Sequence, residues 1–421
     1  MQAEEIFLIL IYVFIFSLLI RKLSFFQRFH LPISWIIVIF LIKSLTGILY
    51  GLLHLQLYDG GDTISYFNES KILLSALPEH VVQFLRLTLW YTVKPPPPDL
   101  ASYESQMIYW NVMSSYFMVR MNALMNLVSF NHYFVNVTIY NFLTLTGMLY
   151  LFRWLHDYVV REKYILIFVL FLFPSVAFWS SGIHKDGLSI AALGLILFHF
   201  QQLLTKITWQ RIAVFIFGCW LLLMVRNYLL LLLFPCLAGY ALSAKFSQHK
   251  ALSFIISFLA FYMLLLFGGE FFSTVNLLTK MSQQQQEFLH IPYSENISFR
   301  LLDGTFISLI KAMPAGIKNC LMLPFLFTIN SVYQLPFALD NLLLICLIVT
   351  TVFFYDSGKI QSATFIFCML FSFSIFIFAG SIVPNLGALV RYKMPGILFL
   401  IVALISILDI GRIKRLLFHH F

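Results

Sequence analysis

Residues 35–55 read WIIVIFLIKSLTGILYGLLHL, an apolar stretch that is interrupted by one charged side chain, Lys43. About 20 helical residues cross a hydrocarbon core of about 30 Å, so this stretch is predicted to span a membrane. The whole chain has the same character, because 61% of its 421 residues are hydrophobic, only 11% are charged and the mean hydropathy is +0.89. A soluble domain carries about 25% charged residues. The composition therefore excludes a soluble enzyme, a disordered chain and a nucleic-acid-binding domain.

Apolar stretches of this kind recur from one end of the sequence to the other. They predict an all-α protein, a polytopic transmembrane helix bundle of about 11 spans that forms a single domain over residues 1–421. The expected spans are 6–20, 32–56, 131–152, 164–180, 187–203, 210–225, 228–244, 251–269, 337–355, 362–381 and 394–410.

Two long loops, 57–130 and 270–336, separate some of these spans. Within them, segments 104–130 and 306–328 are rich in apolar and aromatic residues, which is typical of helices that lie along a membrane interface. The glutamine tract 283–286 is predicted to lie in a mobile part of the second loop.

The distribution of charge predicts the orientation of the spans. If they alternate, 14 of the 27 basic residues and only four of the 18 acidic residues fall on one side, which is then the cytoplasm. The N-terminus would lie outside, the C-terminus would lie in the cytoplasm, and both long loops would face outward. The outer side and the spans hold the other 13 basic and 14 acidic residues. This concentration of charge predicts chemistry or recognition at the outer surface.

The first polar cluster, YDGGDTISY at residues 58–66, follows the second span directly. Its two glycines allow a tight turn and the close approach of a ligand. Asp62 is the candidate general base toward an acceptor hydroxyl, with Asp59 as a second catalytic candidate and Tyr66 as a substrate contact. The alternative is that Asp62 only caps a helix that starts at Thr63.

A second signal is Lys43, which lies near the middle of its span. A charge at this depth costs at least ~2.5 kcal/mol unless it is paired or hydrated, so Lys43 is predicted to face the interior of the bundle. It would be either a substrate contact or one half of a structural ion pair.

A third cluster, FPSVAFWSSGIHKDG at residues 173–187, joins the fourth and fifth spans. His184, Lys185 and Asp186 would begin the fifth span, where free backbone N–H groups and two cations make a phosphate or pyrophosphate site plausible. The alternative is that Lys185 reaches toward lipid head groups while Asp186 stabilises the helix N-terminus.

Three further basic residues, at two positions in the sequence, are expected at the outer ends of spans. Arg226 separates two apolar runs of 14 residues, too short for a full crossing, so its guanidinium would lie in a membrane cavity and grip a phosphodiester or a carboxylate. The alternative is a structural pair with Asp62 or Asp186. Arg391 and Lys393, at the start of the last span, are further candidates for binding substrate.

These segments resemble the GT-C type of polytopic membrane glycosyltransferase and the related bacterial polysaccharide polymerases, loosely and over the whole chain. The resemblance implies a donor sugar on polyprenyl phosphate or diphosphate, a glycan or lipid acceptor, and a place in the bacterial cytoplasmic (inner) membrane. It also implies an acidic residue that faces the acceptor, here Asp62, and an arginine near the donor phosphate, here Arg226 or Arg391. The segments that carry it are Gly61-Asp62-Thr63, Phe173-Pro174-Ser175, Trp179-Ser180-Ser181-Gly182, Lys185-Asp186, Arg226-Asn227-Tyr228 and Arg391-Tyr392-Lys393-Met394-Pro395.

The sequence departs from the family pattern in the first outer loop, which lacks an Asp-x-Asp motif: Asp59 and Asp62 are three residues apart. Neither a metal nor another cofactor is therefore expected. The predicted function is transfer of a sugar in the assembly of cell-envelope polysaccharide or glycoconjugate, in contact with membrane lipid and without nucleic acid. The alternatives are a transporter or flippase for a lipid-linked or anionic substrate, and a non-enzymatic membrane subunit of an envelope assembly.

Overall fold

The computed structural model of the protein describes residues 2–57, 60–89, 96–160, 162–271, 276–290, 297–329 and 334–418. Within these ranges the chain is all-α, apart from an isolated antiparallel bridge between Tyr355 and Leu408. The α-helices of the described ranges are α1 (Ala3–Lys22), α2 (Ile33–Leu57), α3 (Gly61–Ser75), α4 (Val81–Leu89), α5 (Ala101–Glu104), α6 (Met113–Ser129), α7 (Tyr133–Tyr158), α8 (Lys163–Ile167), α9 (Pro174–Ser181), α10 (Lys185–Thr205), α11 (Trp209–Lys245), α12 (Lys250–Phe271), α13 (Leu277–Leu289), α14 (Phe306–Met322), α15 (Leu335–Phe353), α16 (Ala363–Ile382), α17 (Leu386–Ile407) and α18 (Ile410–Phe418).

In the described part of the chain, eight of these helices are long and apolar enough to cross a membrane: α1, α2, α7, α10, α11, α15, α16 and α17. The broken pair Lys163–Leu172 and Pro174–Ser181 would be a ninth. The protein is therefore an integral, multi-pass membrane protein, as predicted.

The predicted number of about 11 spans is larger than the eight long apolar helices of the described residues for three reasons. Spans 210–225 and 228–244 both fall within α11, a single helical stretch that is interrupted at Arg226, where φ is −151° and ψ is 68°. Span 164–180 is divided by the break at Phe173. The range 251–269 is helical within α12, which is not among the eight.

The chain divides into two compact units, and each has its own helical core. The first unit comprises Met1–Trp154 and Ala177–Asn227, and the second comprises Leu155–Val176 and Tyr228–Phe421.

The first unit has two distinct ends along α7. At one end, Tyr150 packs against Phe25 and Phe29, and Arg153 lies over the ring of Phe198 at 5.0 Å. This end carries the basic residues that flank Phe25 and Phe29 in sequence. The other end, about 26 Å away at 1.5 Å per helical residue, begins at Tyr133, whose hydroxyl lies 2.7 Å from that of Thr63 in α3.

Close backbone contact joins the long helices of the first unit. A Cβ atom placed on Gly194 of α10 would lie 2.1 Å from the carbonyl oxygen of Gly147 in α7. Small residues at such crossings allow membrane helices to pack without a side chain between them.

The segment 104–130 contains the predicted helix, as α6. Its polar side chains are buried against its neighbours, because Asn136 of α7 donates to Asn126 at 2.7 Å and Asn126 donates to Ser70 of α3 at 2.8 Å. These amide contacts tie α3, α6 and α7 together.

In the second unit the glutamine tract is helical, so its placement in a mobile loop was wrong. It lies in α13, where Gln285 is buried. The Gln285 amide donates to the carbonyls of Arg300 and Ser381 and accepts from the N–H of Leu302. The buried face of this helix therefore uses Gln285 of the polar tract for structural hydrogen bonds to neighbouring backbone groups.

Candidate active site

A tight turn between α2 and α3 places Asp62 in the first unit. Gly60 and Gly61 have φ values of +91° and +52°, a region that side chains with a Cβ rarely adopt. Helix α3 begins at Gly61 with Gly60 as its N-cap, so Asp62 lies in the first helical turn and is not the cap. Its carboxylate instead accepts a hydrogen bond from the hydroxyl of Tyr109 at 2.8 Å. The capping alternative is therefore wrong, and the 43% exposed side chain is available to a substrate.

Asp62 is the first member of a chain of four ionisable side chains, which we call the relay: Asp62, His184, Asp186 and Arg226. The Nε2 atom of His184 lies 3.5 Å from Asp62 Oδ2, and its Nδ1 atom lies 2.9 Å from Asp186 Oδ2. Arg226 then donates from Nη2 to Asp186 Oδ1 at 2.7 Å. His184, Asp186 and Arg226 are all buried, so only the Asp62 end of the relay reaches the surface.

Local backbone geometry brings the buried members together. His184 has an extended conformation as the N-cap of α10, and Asp186 lies in the first turn of that helix, where a carboxylate is stabilised by the helix dipole. Arg226 leaves helical geometry within α11. Of the two roles predicted for Arg226, the structure shows the pairing with Asp186, and the contact with a donor phosphate stays a prediction.

The position of His184 between two carboxylates constrains the protons of the relay. While Nδ1 lies 2.9 Å from Asp186 Oδ2, the Nε2 atom on the other side of the ring faces Asp62. A lone pair on Nε2 facing an ionised carboxylate would be repulsive, so one proton belongs between Asp62 and His184. An imidazole and a carboxylate in this arrangement can share one proton.

Two more of the predicted residues surround the exposed end of the relay. The ammonium of Lys185 donates to the hydroxyls of Ser114 and Ser115, at 2.9 Å each, and lies 6.0 Å above the ring of Tyr66. The Tyr66 ring is buried and lies 6.2 Å from that of His184. The first unit thus brings together six predicted site residues: Asp62, Tyr66, His184, Lys185, Asp186 and Arg226.

Tyr109, Ser114 and Ser115 were not among the predicted site residues. Burial, followed by the charge and hydrogen bond of Asp62, raises the pKa of Tyr109, so the phenol remains a donor. No motif marks these residues, and Tyr109 is 47 positions from Asp62.

Lys43 is buried within α2, as its depth predicted, and its contacts are with neutral groups and not with an ion-pair partner, while its contact with substrate stays a prediction. Its ammonium donates to the carbonyl and hydroxyl of Ser180 at 3.1 Å and to the hydroxyl of Ser181 at 3.4 Å. These oxygens end α9, where a cation is favourable to the helix dipole. Lys43 therefore holds the segment that leads to His184.

Asp59 lies outside the described residues. Arg391 and Lys393 belong to α17 of the second unit. The buried ammonium of Lys393 donates to the carbonyls of Cys320 and Leu323, at 2.8 and 2.5 Å, and to Asn341 Oδ1 at 3.0 Å. These contacts use its three N–H groups, and its binding to substrate stays a prediction.

Comparisons with known proteins do not identify a family or a function for this site. No protein-family model matches the chain, and neither a curated protein nor a solved structure does. What the site can do chemically follows from the burial and the contacts of its own side chains.

Proposed function

We propose that the protein is a membrane glycosyltransferase. It transfers a sugar from polyprenyl phosphate or diphosphate to a hydroxyl acceptor in the assembly of cell-envelope glycan. The observation that carries the proposal is the environment of Asp62, a partly exposed carboxylate backed by the buried His184 and Asp186. A general base needs this combination of access to substrate and a fixed proton-exchanging partner.

The position of the site in the first unit supports the outer face of the bacterial cytoplasmic membrane. Basic residues gather at the Tyr150 end of α7, which the positive-inside tendency assigns to the cytoplasm. Asp62 lies at the other end, next to Thr63 and its contact with Tyr133. The N-terminus is then outside, and we keep the prediction from the charge distribution that the C-terminus is cytoplasmic. At the outer face, the lipid tail of the donor stays in the bilayer while its sugar reaches Asp62.

The proposed reaction assigns one task to each exposed group. The acceptor oxygen forms a bond to the anomeric carbon of the sugar, and Asp62 takes the hydroxyl proton. The bond between that carbon and the phosphate oxygen breaks, and its electron pair leaves with the lipid phosphate. In this reaction Lys185, whose ammonium lies beside Ser114 and Ser115, contacts that phosphate. Arg226 pairs with Asp186 and keeps its carboxylate oriented toward His184.

The test is Asp62→Asn, which keeps the shape of the side chain and removes the base. In cells whose own copy is deleted, we expect this variant to lower the envelope glycan product about 100-fold or more, measured by mass spectrometry. Asp356→Asn is the matched control, since Asp356 has the same 43% exposed side chain and an asparagine can still accept from the Gly358 N–H. Wild-type product from Asp62→Asn would remove Asp62 from the mechanism.

A transporter or flippase for a lipid-linked substrate is the second candidate, and a different observation favours it. In the second unit, the buried Asp340 of α15 contacts Ser175 at the start of α9. The buried Lys393 of α17 contacts Cys320 near the end of α14. Ionisable groups at helix ends inside a membrane occur along transport pathways. Movement of lipid across proteoliposomes without any covalent product would favour this candidate.

A further inference from the structure

The short segment between α5 and α6 carries Tyr109, whose hydroxyl donates to Asp62 Oδ1 at 2.8 Å. This is a long-range contact to the one relay member that reaches the surface. The carboxylate of Asp62 is partly exposed, so a donor that is fixed by the protein, such as the Tyr109 hydroxyl, can set its proton affinity.

Glu69 anchors this segment from the same helix that carries Asp62. Its Oε1 accepts from the N–H of Ile108 at 2.9 Å, and its Oε2 accepts from the N–H of Tyr109 at 3.3 Å. Glu69 is seven residues after Asp62, which is two helical turns, so both project from one face of α3. Burial raises the pKa of Glu69, and the two N–H donors oppose this by favouring the ionised form.

The ring of Tyr109 is held from a third direction. The buried ring of Tyr66, also on α3, lies 4.9 Å from it. Backbone, ring and hydroxyl of Tyr109 are thus each in contact with a residue of α3.

We infer that Tyr109 is a positioning residue that orients the Asp62 carboxylate and lowers its proton affinity, and that Glu69 acts on Asp62 only through Tyr109. A hydrogen bond donated to a carboxylate stabilises its ionised form. The inference rests on the proposed function in taking Asp62 as the base. In addition, helix α3 carries the proposed base Asp62 together with Glu69 and Tyr66, the two residues that position Tyr109 against it.

The test measures the protonation of Asp62 directly, without any substrate. Purified protein in lipid nanodiscs is treated with a carbodiimide and an amine at a series of pH values. Labelling at Asp62 is quantified by peptide mass spectrometry, with Asp356 as the internal reference. The carbodiimide activates the protonated carboxyl, and the amine then forms an amide with release of the urea. We expect Tyr109→Phe to move the pH of half-maximal labelling upward by about one unit.

Glu69→Gln tests the anchor, because a glutamine can accept only one of the two N–H groups. We expect a smaller upward shift, and we expect the double variant to match Tyr109→Phe alone, since both changes act through one hydroxyl. Tyr103→Phe is the matched control: its hydroxyl donates to Gln83 in the same region, and its removal should leave Asp62 labelling unchanged.

Several outcomes would overturn the inference. They are an unchanged labelling midpoint in Tyr109→Phe, a Glu69→Gln shift that adds fully to it, or an equal shift in Tyr103→Phe. Thermal unfolding of each variant identifies any that fail to fold, and Tyr109→Phe removes only one oxygen atom. A fully active Asp62→Asn protein would refute the proposed function alone, because the labelling shift does not depend on catalysis.

Discussion

The two units each contain a buried polar cluster, and the two clusters use their charges differently. In the first unit the relay pairs ionisable groups with one another and ends at the exposed Asp62. In the second unit Lys393 is bound by neutral oxygens, and Asp340 accepts from the backbone N–H and hydroxyl of Ser175. Both of these charges are about 1% exposed.

The first cluster contains contacts between charged side chains, whereas the side chains of the second cluster contact the ends of helices. Charge-to-charge contacts with one end at the surface allow a proton to enter and leave. Charges that are bound to helix ends satisfy groups that would otherwise be unpaired inside the membrane. We therefore expect chemistry from the first cluster, in addition to a contribution to stability, and a contribution to stability from the second.

The largest effect on stability is expected from Asp186→Asn, which tests whether the relay holds the fold in addition to its proposed chemistry. The change leaves the buried Arg226 without its ionised partner, so we expect the free energy of unfolding to fall by about 3–5 kcal/mol. Product should be lost as well, because His184 loses its orienting carboxylate. Thermal unfolding in detergent measures the first effect. Unchanged stability would mean that the Asp186–Arg226 pair contributes nothing net.

A somewhat smaller loss is expected from Lys393→Met, which preserves much of the side-chain volume. Three buried oxygens lose their donor, and the removal of a buried charge offsets part of that cost, so we expect about 3 kcal/mol. Turnover per folded molecule and the KM for the donor should stay unchanged. A raised KM with normal stability would instead make Lys393 a substrate contact, as the sequence predicted, and would remove the contrast between the clusters.

The smallest effect is expected from Asp340→Asn. The amide oxygen can still accept from the N–H of Ser175, so we expect a loss of about 1 kcal/mol and normal product. Proteoliposome assays of lipid movement provide the second readout. Loss of lipid movement with normal stability would favour the transporter instead.

The residues of the relay could be predicted from the sequence because burying a charge in a membrane is energetically unfavourable. Ionisable residues next to apolar runs are therefore rare and easy to recognise. Asp62, His184, Asp186 and Arg226 each interrupt or end an apolar run. Their partners were harder to assign: the sequence left Arg226 either on a phosphate or paired with Asp62 or Asp186, and the structure shows the pair with Asp186.

Other features gave too little signal in the sequence. Tyr109 and Glu69 act through contacts about 40 or more positions apart, and neither tyrosine nor a loop-proximal glutamate is unusual there. Hydropathy also cannot distinguish two short spans from the interrupted helix α11, because both have the same apolar runs. Lys393 was grouped with the relay because the two were expected at the same end of their spans, although it belongs to the second unit.

We propose that Asp62 performs chemistry on a lipid-linked sugar. The most direct measurement supplies purified protein in lipid nanodiscs with a lipid extract that contains polyprenyl-phosphate-linked and polyprenyl-diphosphate-linked sugars and the acceptor glycans. Mass spectrometry then follows the release of the bare lipid phosphate. We expect the wild-type protein to release it and the Asp62→Asn protein to retain the intact donor, with release slowed about 100-fold or more. Release by the Asp62→Asn protein at the wild-type rate would contradict the claim.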